Sequence, residues 1–394
     1  MDAMIDKDRT RSGVYGAESA LAERAVILMS KLCRSTIHPY VVSGFSSNGV
    51  GAFAALAQNA VTPLDPERFR NDQDGAFVIT RSRCFKVTNA VTSANPGAVF
   101  SNVSLQVSDV EGNDVLGRAP ALLPTLHSRE SGTMVLSRPY VMGRRSALLV
   151  RATEENVNGT TLLFVSFMGE VVLGPMSDRE VREAVMLGIY PLPGRQSGVW
   201  DHTFLMGRLF GRRPPKLKGE ADDLLYDLRD KALVLREKLR AADCSAYVVE
   251  DGRSNLVRDT DTAMNRDSLR NDQKGPFAVT RAAIHCDTAF TGNSGPFSNV
   301  ALRVEGVDEP LRLTRDFVEA PLLFNIATNM WLFDHPHVVA PRGGLGIALR
   351  EHDIDATTDV HLALHGEVVR GVTSRELRQA VALGMYPLID RNQD

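Results

Sequence analysis

Histidine is the residue type whose distribution in this sequence first suggests chemistry. Six of the nine, His285, His335, His337, His352, His361 and His365, lie in the C-terminal half. On a strand, His361 and His365 project to one face with Ala363, and His335-Pro336-His337 supplies a second pair, so a strand-borne imidazole metal site is geometrically open. The carboxylate expected soon after such a His-x-His pair is absent, because Val338-Val339-Ala340-Pro341-Arg342-Gly343-Gly344 follows it. Exposed or locally hydrogen-bonded histidines explain the pattern more simply, and the expectation is no metal and no cofactor. Nucleophile chemistry has no better basis. There is no Gly-x-Ser-x-Gly elbow, no Walker-type phosphate loop and no paired-carboxylate signature. Gly343-Gly344-Leu345-Gly346 opens a strand pattern rather than a helix and reads as a turn. The four cysteines, Cys33, Cys84, Cys244 and Cys286, form no Cys-x-x-Cys pair and are expected to be reduced and packed. No reaction is assigned, and the chain is not expected to be an enzyme.

Two other polar features are candidates for partner contact. The string Arg70-Asn71-Asp72-Gln73 recurs as Arg270-Asn271-Asp272-Gln273, four polar residues kept while their surroundings changed. Either these strings touch a partner, or Asn and Asp hydrogen-bond backbone amides in a turn before the strands at Phe77 and Phe277. Arg81 and Arg281, late in those strands, either bind carboxylates across a subunit boundary or pair locally. The second feature is the basic, Pro-containing stretch around Arg212 and Arg213, read as a solvated connector or as an arm for an acidic partner.

Charge excludes one class of partner. With 45 Lys and Arg against 48 Asp and Glu, the net charge of 394 residues is −3, which offers no global attraction to nucleic acid. At 43% hydrophobic and 24% charged, the composition is that of a chain able to bury a core. No apolar run approaches the roughly 20 residues of a membrane span. The first residues lack the apolar core of a signal peptide, so the expectation is synthesis in the cytoplasm without secretion. The sequons at Asn102 and Asn158 therefore carry no weight.

The elements that must position these residues are written twice. The Arg-Asn-Asp-Gln strings lie 200 residues apart, Phe100-Ser101-Asn102-Val103 and Phe297-Ser298-Asn299-Val300 lie 197 apart, and so do Gly169-Glu170-Val171-Val172 and Gly366-Glu367-Val368-Val369. Each copy opens with a helix whose apolar stripe is Leu21, Ala25, Leu28, Leu32 or Leu228, Ala232, Leu235, Leu239. Each ends with a helix started by a capping box, Ser177 to Glu180 or Thr373 to Glu376, and stopped near Gly188 or Gly384. Between the helices the period becomes two, in about eight runs near 40–44, 76–81, 84–91, 99–107, 113–117, 133–137, 146–152 and 161–172. The reading is mainly β with flanking helices, a tandem duplication of a β-sandwich module with the jelly roll favoured. Its parts are a tail over 1–16, a first module over 17–193, a linker over 194–220 and a second module over 221–390.

The run Gly275-Pro276-Phe277-Ala278-Val279-Thr280-Arg281, then Gly295-Pro296-Phe297-Ser298-Asn299-Val300, then Leu364-His365-Gly366-Glu367, resembles phage virion structural proteins built on jelly rolls. Two such modules in one chain are also similar to the double jelly-roll capsid proteins of icosahedral viruses, whose trimers give pseudo-hexagonal capsomers. The likeness is architectural, and the sequence departs from it in the closeness of its two copies and in the helices at both ends of each. It implies a capsid, minor capsid, decoration or connector subunit of a virion. Such a subunit self-associates into a ring or shell, or binds other virion proteins, with no specific nucleic acid and no membrane. The alternatives are a carbohydrate- or ligand-binding jelly roll and a cupin-like metalloenzyme using the histidines of the second copy. Against the latter, Phe164, Ser166 and Met168 occupy the matching strand face of the first copy.

Overall fold

The computed structural model describes residues 20–46, 56, 59–88, 103–116, 120–127, 132–154, 161–190, 219–288, 300–307, 311–325, 328–352 and 358–386. Its first eight strands are β1 (Thr36–Phe45), β2 (Val61–Pro63), β3 (Ala76–Thr88), β4 (Val103–Asp109), β5 (Ala121–Leu122), β6 (Thr133–Met142), β7 (Leu148–Glu154) and β8 (Thr161–Leu173). They form two four-stranded sheets, ordered β1-β8-β3-β6 and β2-β7-β4-β5. The next eight are β9 (Asp243–Arg253), β10 (Thr262–Ala263), β11 (Phe277–Thr288), β12 (Val300–Gly306), β13 (Val318–Glu319), β14 (Met330–Val339), β15 (Leu345–Glu351) and β16 (Thr358–Arg370). They repeat the same order, β9-β16-β11-β14 and β10-β15-β12-β13. In both halves every connection except the fourth to the fifth strand passes from one sheet to the other, which is the double Greek key of a jelly roll.

The strands differ in detail from the sequence pattern. The run at 76–81 and the described part of the run at 84–91, which ends at Thr88, are one strand, β3, whose pairing with β6 shifts register between Ile79 and Arg81; β11 does the same between Val279 and Arg281. A bulge breaks the alternation that a period-two reading depends on. Of the run expected at 113–117, the described residues 113–116 form no strand, only a bridge of Asp114 to Ser108, whereas the short strands β2 and β5 are present. Two or three residues are too few to show a period.

Each sandwich closes on apolar residues from alternate strand positions. Val103, Leu105 and Val107 of β4 face inward with Leu148, Val150 and Ala152 of β7, as do Val300, Leu302 and Val304 of β12 with Leu345, Ile347 and Leu349 of β15. Each large side chain so buried contributes about 1.5 to 3 kcal/mol. An edge-on aromatic pair recurs with the same spacing, Tyr40 against Phe77 and Tyr247 against Phe277, each at 5.1 Å between ring centres.

Contacts divide the chain into two compact units, one of Met1–Ile37, Val172–Asp243 and Arg370–Asp394, the other of His38–Val171 and Cys244–Val369. The first unit holds the helices 20–32, Asp178–Met186, Glu220–Ala241 and Ser374–Ala382. Both capping boxes form: Ser177 accepts from the Glu180 amide and Thr373 from the Glu376 amide, and each Glu reaches back to its cap. The cap glutamates also tie helix to helix, Glu180 to Lys31 at 2.7 Å and Glu376 to Lys238 at 2.5 Å. The expected stripes are buried except Leu21, which is exposed. The second unit holds both sandwiches.

Candidate assembly interface

The repeated Asn is a structural clamp in both sandwiches. Asn71 is fully buried; its amide nitrogen donates to the carbonyls of Gly75 (2.8 Å) and Gly143 (3.1 Å), and its side-chain oxygen accepts from the Gln73 amide. Asn271 does the same with Gly275 (2.9 Å), Ala340 (3.2 Å) and the Gln273 amide. One side chain thus joins the turn before β3 or β11 to the turn after β6 or β14. Arg70 pairs with Glu67 at 3.2 Å, and Arg270 donates to the Arg342 carbonyl at 2.7 Å. Asp72 reaches the other sandwich, meeting Arg315 at 2.5 Å; it and its counterpart Asp272 are both exposed. Arg212 and Arg213 lie outside the described residues.

Asp72 marks one end of a junction between the sandwiches. Beside it the edge strand β1 is extended by residues of the second sandwich: the Val41 amide donates to Leu313 and the Arg315 amide to Val41. Such pairing removes an open sheet edge. Further along, the one-turn helix Ala320–Leu323 packs on β3, and Ser166 of β8 donates to the Leu322 carbonyl at 3.4 Å. At the far end β14 brings two ionisable residues onto β3 and β8. Asp334 accepts from Thr80 (2.6 Å) and pairs with Arg81, and His335 pairs through Nδ1 with the fully buried Glu170. Burial pushes the Asp334 carboxyl above its ordinary pKa despite Arg81. Burial opposes charge on His335 too, but the Glu170 carboxylate outweighs it and raises the imidazole pKa. A pair of this kind is costly to break from one side and contributes little net stability.

The junction uses each surface only once. The outer face of β1, β8 and β3 is covered, and β1 is buried at nine of its ten positions; the matching β9 is buried only at Val249. The positions of Phe85 and Phe164, stacked at 4.5 Å in the first sandwich, belong in the second to His285 and His361, 6.4 Å apart. Phe45, tilted against Phe164, is matched by Gly252, where a Cβ would strike the His361 ring. Exchanging phenylalanines for glycine and histidine leaves an open hollow of about 470 Å³ lined by Gly252, His285, His361 and Ala363. On the other partner, β14 is buried from His335 to Val339, whereas Arg138 of its counterpart β6, the match of His335, is exposed; Val135 and its match Leu332 are exposed in both.

The histidines therefore divide between roles the sequence did not separate. His335 and His337 are buried, His335 in the junction, while His361 and His365 lie on the open outer face of β16. Among the described residues no group of three or more His, Cys, Asp or Glu is placed to hold a metal ion. A cluster that the sequence reading missed is Ser82, Cys84 and His127, all buried, with His127 Nε2 2.8 Å from the Ser82 hydroxyl and 3.4 Å from the Cys84 sulfur. Burial holds His127 down to about 4, so the ring is neutral, and it pushes the Cys84 thiol far above its ordinary pKa, away from a nucleophilic thiolate. Its counterparts are Ala282, Ile284 and Phe324, a contrast that only pairing the two copies position by position would have exposed.

No family model and no curated protein matches the chain. Solved structures to which it is similar include the major capsid protein P2 from bacteriophage PM2, at 7% identity and a TM-score of 0.20 over 84% of this chain and 98% of that one. The Faustovirus major capsid protein is similar at 7% identity and a TM-score of 0.21, over 85% and 90%. A triple jelly-roll structure from an archaeal virus is similar at 7% identity and a TM-score of 0.17, over 81% and 59%. Likenesses at this level carry no weight of their own. The jelly-roll assignment rests on the strand order.

Proposed function

We propose that this chain is a structural subunit of a phage-like particle, as a capsid, minor capsid, decoration or connector protein, and that it acts by protein–protein contact and catalyses no reaction. One observation carries the reading: two surfaces that dock inside the chain recur on the opposite sandwich, where they stay open. A contact between unlike surfaces, with one of each left over, is heterologous and propagates from copy to copy into a ring or an open array. Light scattering across protein concentration, with electron microscopy of the same samples, tests it. Rings, shells or concentration-dependent growth in mass are expected. A monomer at every concentration, with or without co-purifying proteins, overturns the reading. The hollow beside His285 and His361 favours a second reading, a ligand-binding jelly roll, and a monomer that binds a soluble sugar there would establish it.

A further inference from the structure

The junction also indicates which side chains meet between copies, because its two surfaces have exact counterparts in numbering and register. β14 carries Asp334 and His335, and their positions on β6 are Ser137 and Arg138, 334 − 197 and 335 − 197. The register supports the match: Arg81 pairs with Val135 and Ile79 with Tyr140, while Arg281 pairs with Leu332 and Val279 with His337, again 197 apart. Glu170, the partner of His335, corresponds to Glu367, as Gly169 does to Gly366; each glycine lies against the carbonyl of Val78 or Ala278 beside the bulge. The pair His335–Glu170 within the chain thus becomes Arg138 and Glu367 when the surfaces left over are brought together. The imidazole hydrogen-bonded to a carboxylate is exchanged for a guanidinium, while Phe85 of β3 and Phe164 and Met168 of β8 have become His285, His361 and His365.

That change of composition has a physical reason. The covered face is hidden when the chain folds and can be aromatic. A face that waits in water for another molecule is better kept polar, since a large exposed apolar patch invites indiscriminate association. Charge then takes over the task of selecting the partner. Arg138 is exposed on β6, and Glu367 is half-buried on β16, in the row of His361, Ala363 and His365.

We propose that the open outer face of β9, β16 and β11 receives the β5–β6 side of a second copy of this chain, with Arg138 of one copy paired to Glu367 of the next. This rests on the self-assembly reading above and specifies its contact. The test is a charge swap in the full chain, Arg138→Glu, Glu367→Arg and both together, read by sedimentation at several concentrations. Each single reversal is expected to weaken self-association by about tenfold or more, and the double variant to regain most of it, as for a close interfacial charge pair. Ala363→Arg, whose counterpart Ser166 lies under Leu322 in the junction, is an independent block on the same face and is expected to reduce association at an unchanged melting temperature. Self-association undiminished in the single reversals and in Ala363→Arg would overturn this contact and leave the self-assembly reading standing. A wild-type protein that never self-associates would overturn both.

Discussion

Removing Asp334 tests whether the junction is a designed contact or an incidental one. The side chain is 7% exposed, accepts from Thr80 at 2.6 Å and faces Arg81, itself 19% exposed. In Asp334→Ala, Thr80 keeps the Met168 carbonyl at 3.4 Å, so the hydroxyl is not orphaned, and the loss falls on Arg81. Breaking a buried pair from one side costs about 3 to 5 kcal/mol. Arg81 retains some water, so a value near about 3 kcal/mol is expected, at the low end of that range. Replacing both partners, Arg81→Met with Asp334→Leu, removes the desolvation together with the attraction. Since burial already outweighs Arg81 in raising the Asp334 pKa, the double variant is expected within about 1 kcal/mol of wild type. Urea denaturation of wild type, Arg81→Met, Asp334→Leu and their double variant closes the cycle, with Asp334→Ala measured beside them, followed by far-ultraviolet circular dichroism and by tryptophan fluorescence, to which Trp331 of β14 contributes. A loss below about 0.5 kcal/mol in Asp334→Ala, or a double variant as damaged as the sum of the singles, would refute the argument.

Three further outcomes are expected. Gly366→Ala places a methyl on the carbonyl oxygen of Ala278, where backbone and not a flexible side chain must yield, and should cost about 3 kcal/mol, read as a lowered melting temperature. His127 is held neutral in the fold, so its contribution is complete above its unfolded pKa of 6.5 and is lost as pH falls toward about 4. That window is worth about 3 kcal/mol, and His127→Phe, the residue its counterpart Phe324 already is, should flatten stability against pH across it, measured by chemical denaturation. Val381→Asp buries an unpaired charge at a position 1% exposed and should destabilise by about 3 kcal/mol; an unchanged melting temperature would contradict the packing of that helix.

Much of the architecture was legible in one dimension because its causes are local. Helix stripes, capping boxes and period-two strands follow from which side of an element must avoid water, and a repeat shows itself by self-comparison. Asn71 and Asn271 were visible as a repeated string, but whether they clamped a turn or met a partner depended on the carbonyls of Gly143 and Ala340, some 70 residues away in the chain. The short strands β2 and β5 and the bulge at Thr80 and Thr280 were hidden because two or three residues carry no period. The junction was hidden for a stronger reason. Nothing near Glu170 or Glu367 in sequence distinguishes a carboxylate fully buried against His335 from one half-buried on the outer face of β16. The linear pattern determined that the same sandwich is built twice. Only tertiary packing decided that the two are used unequally, because a contact between unlike surfaces covers one of each and leaves the other pair open.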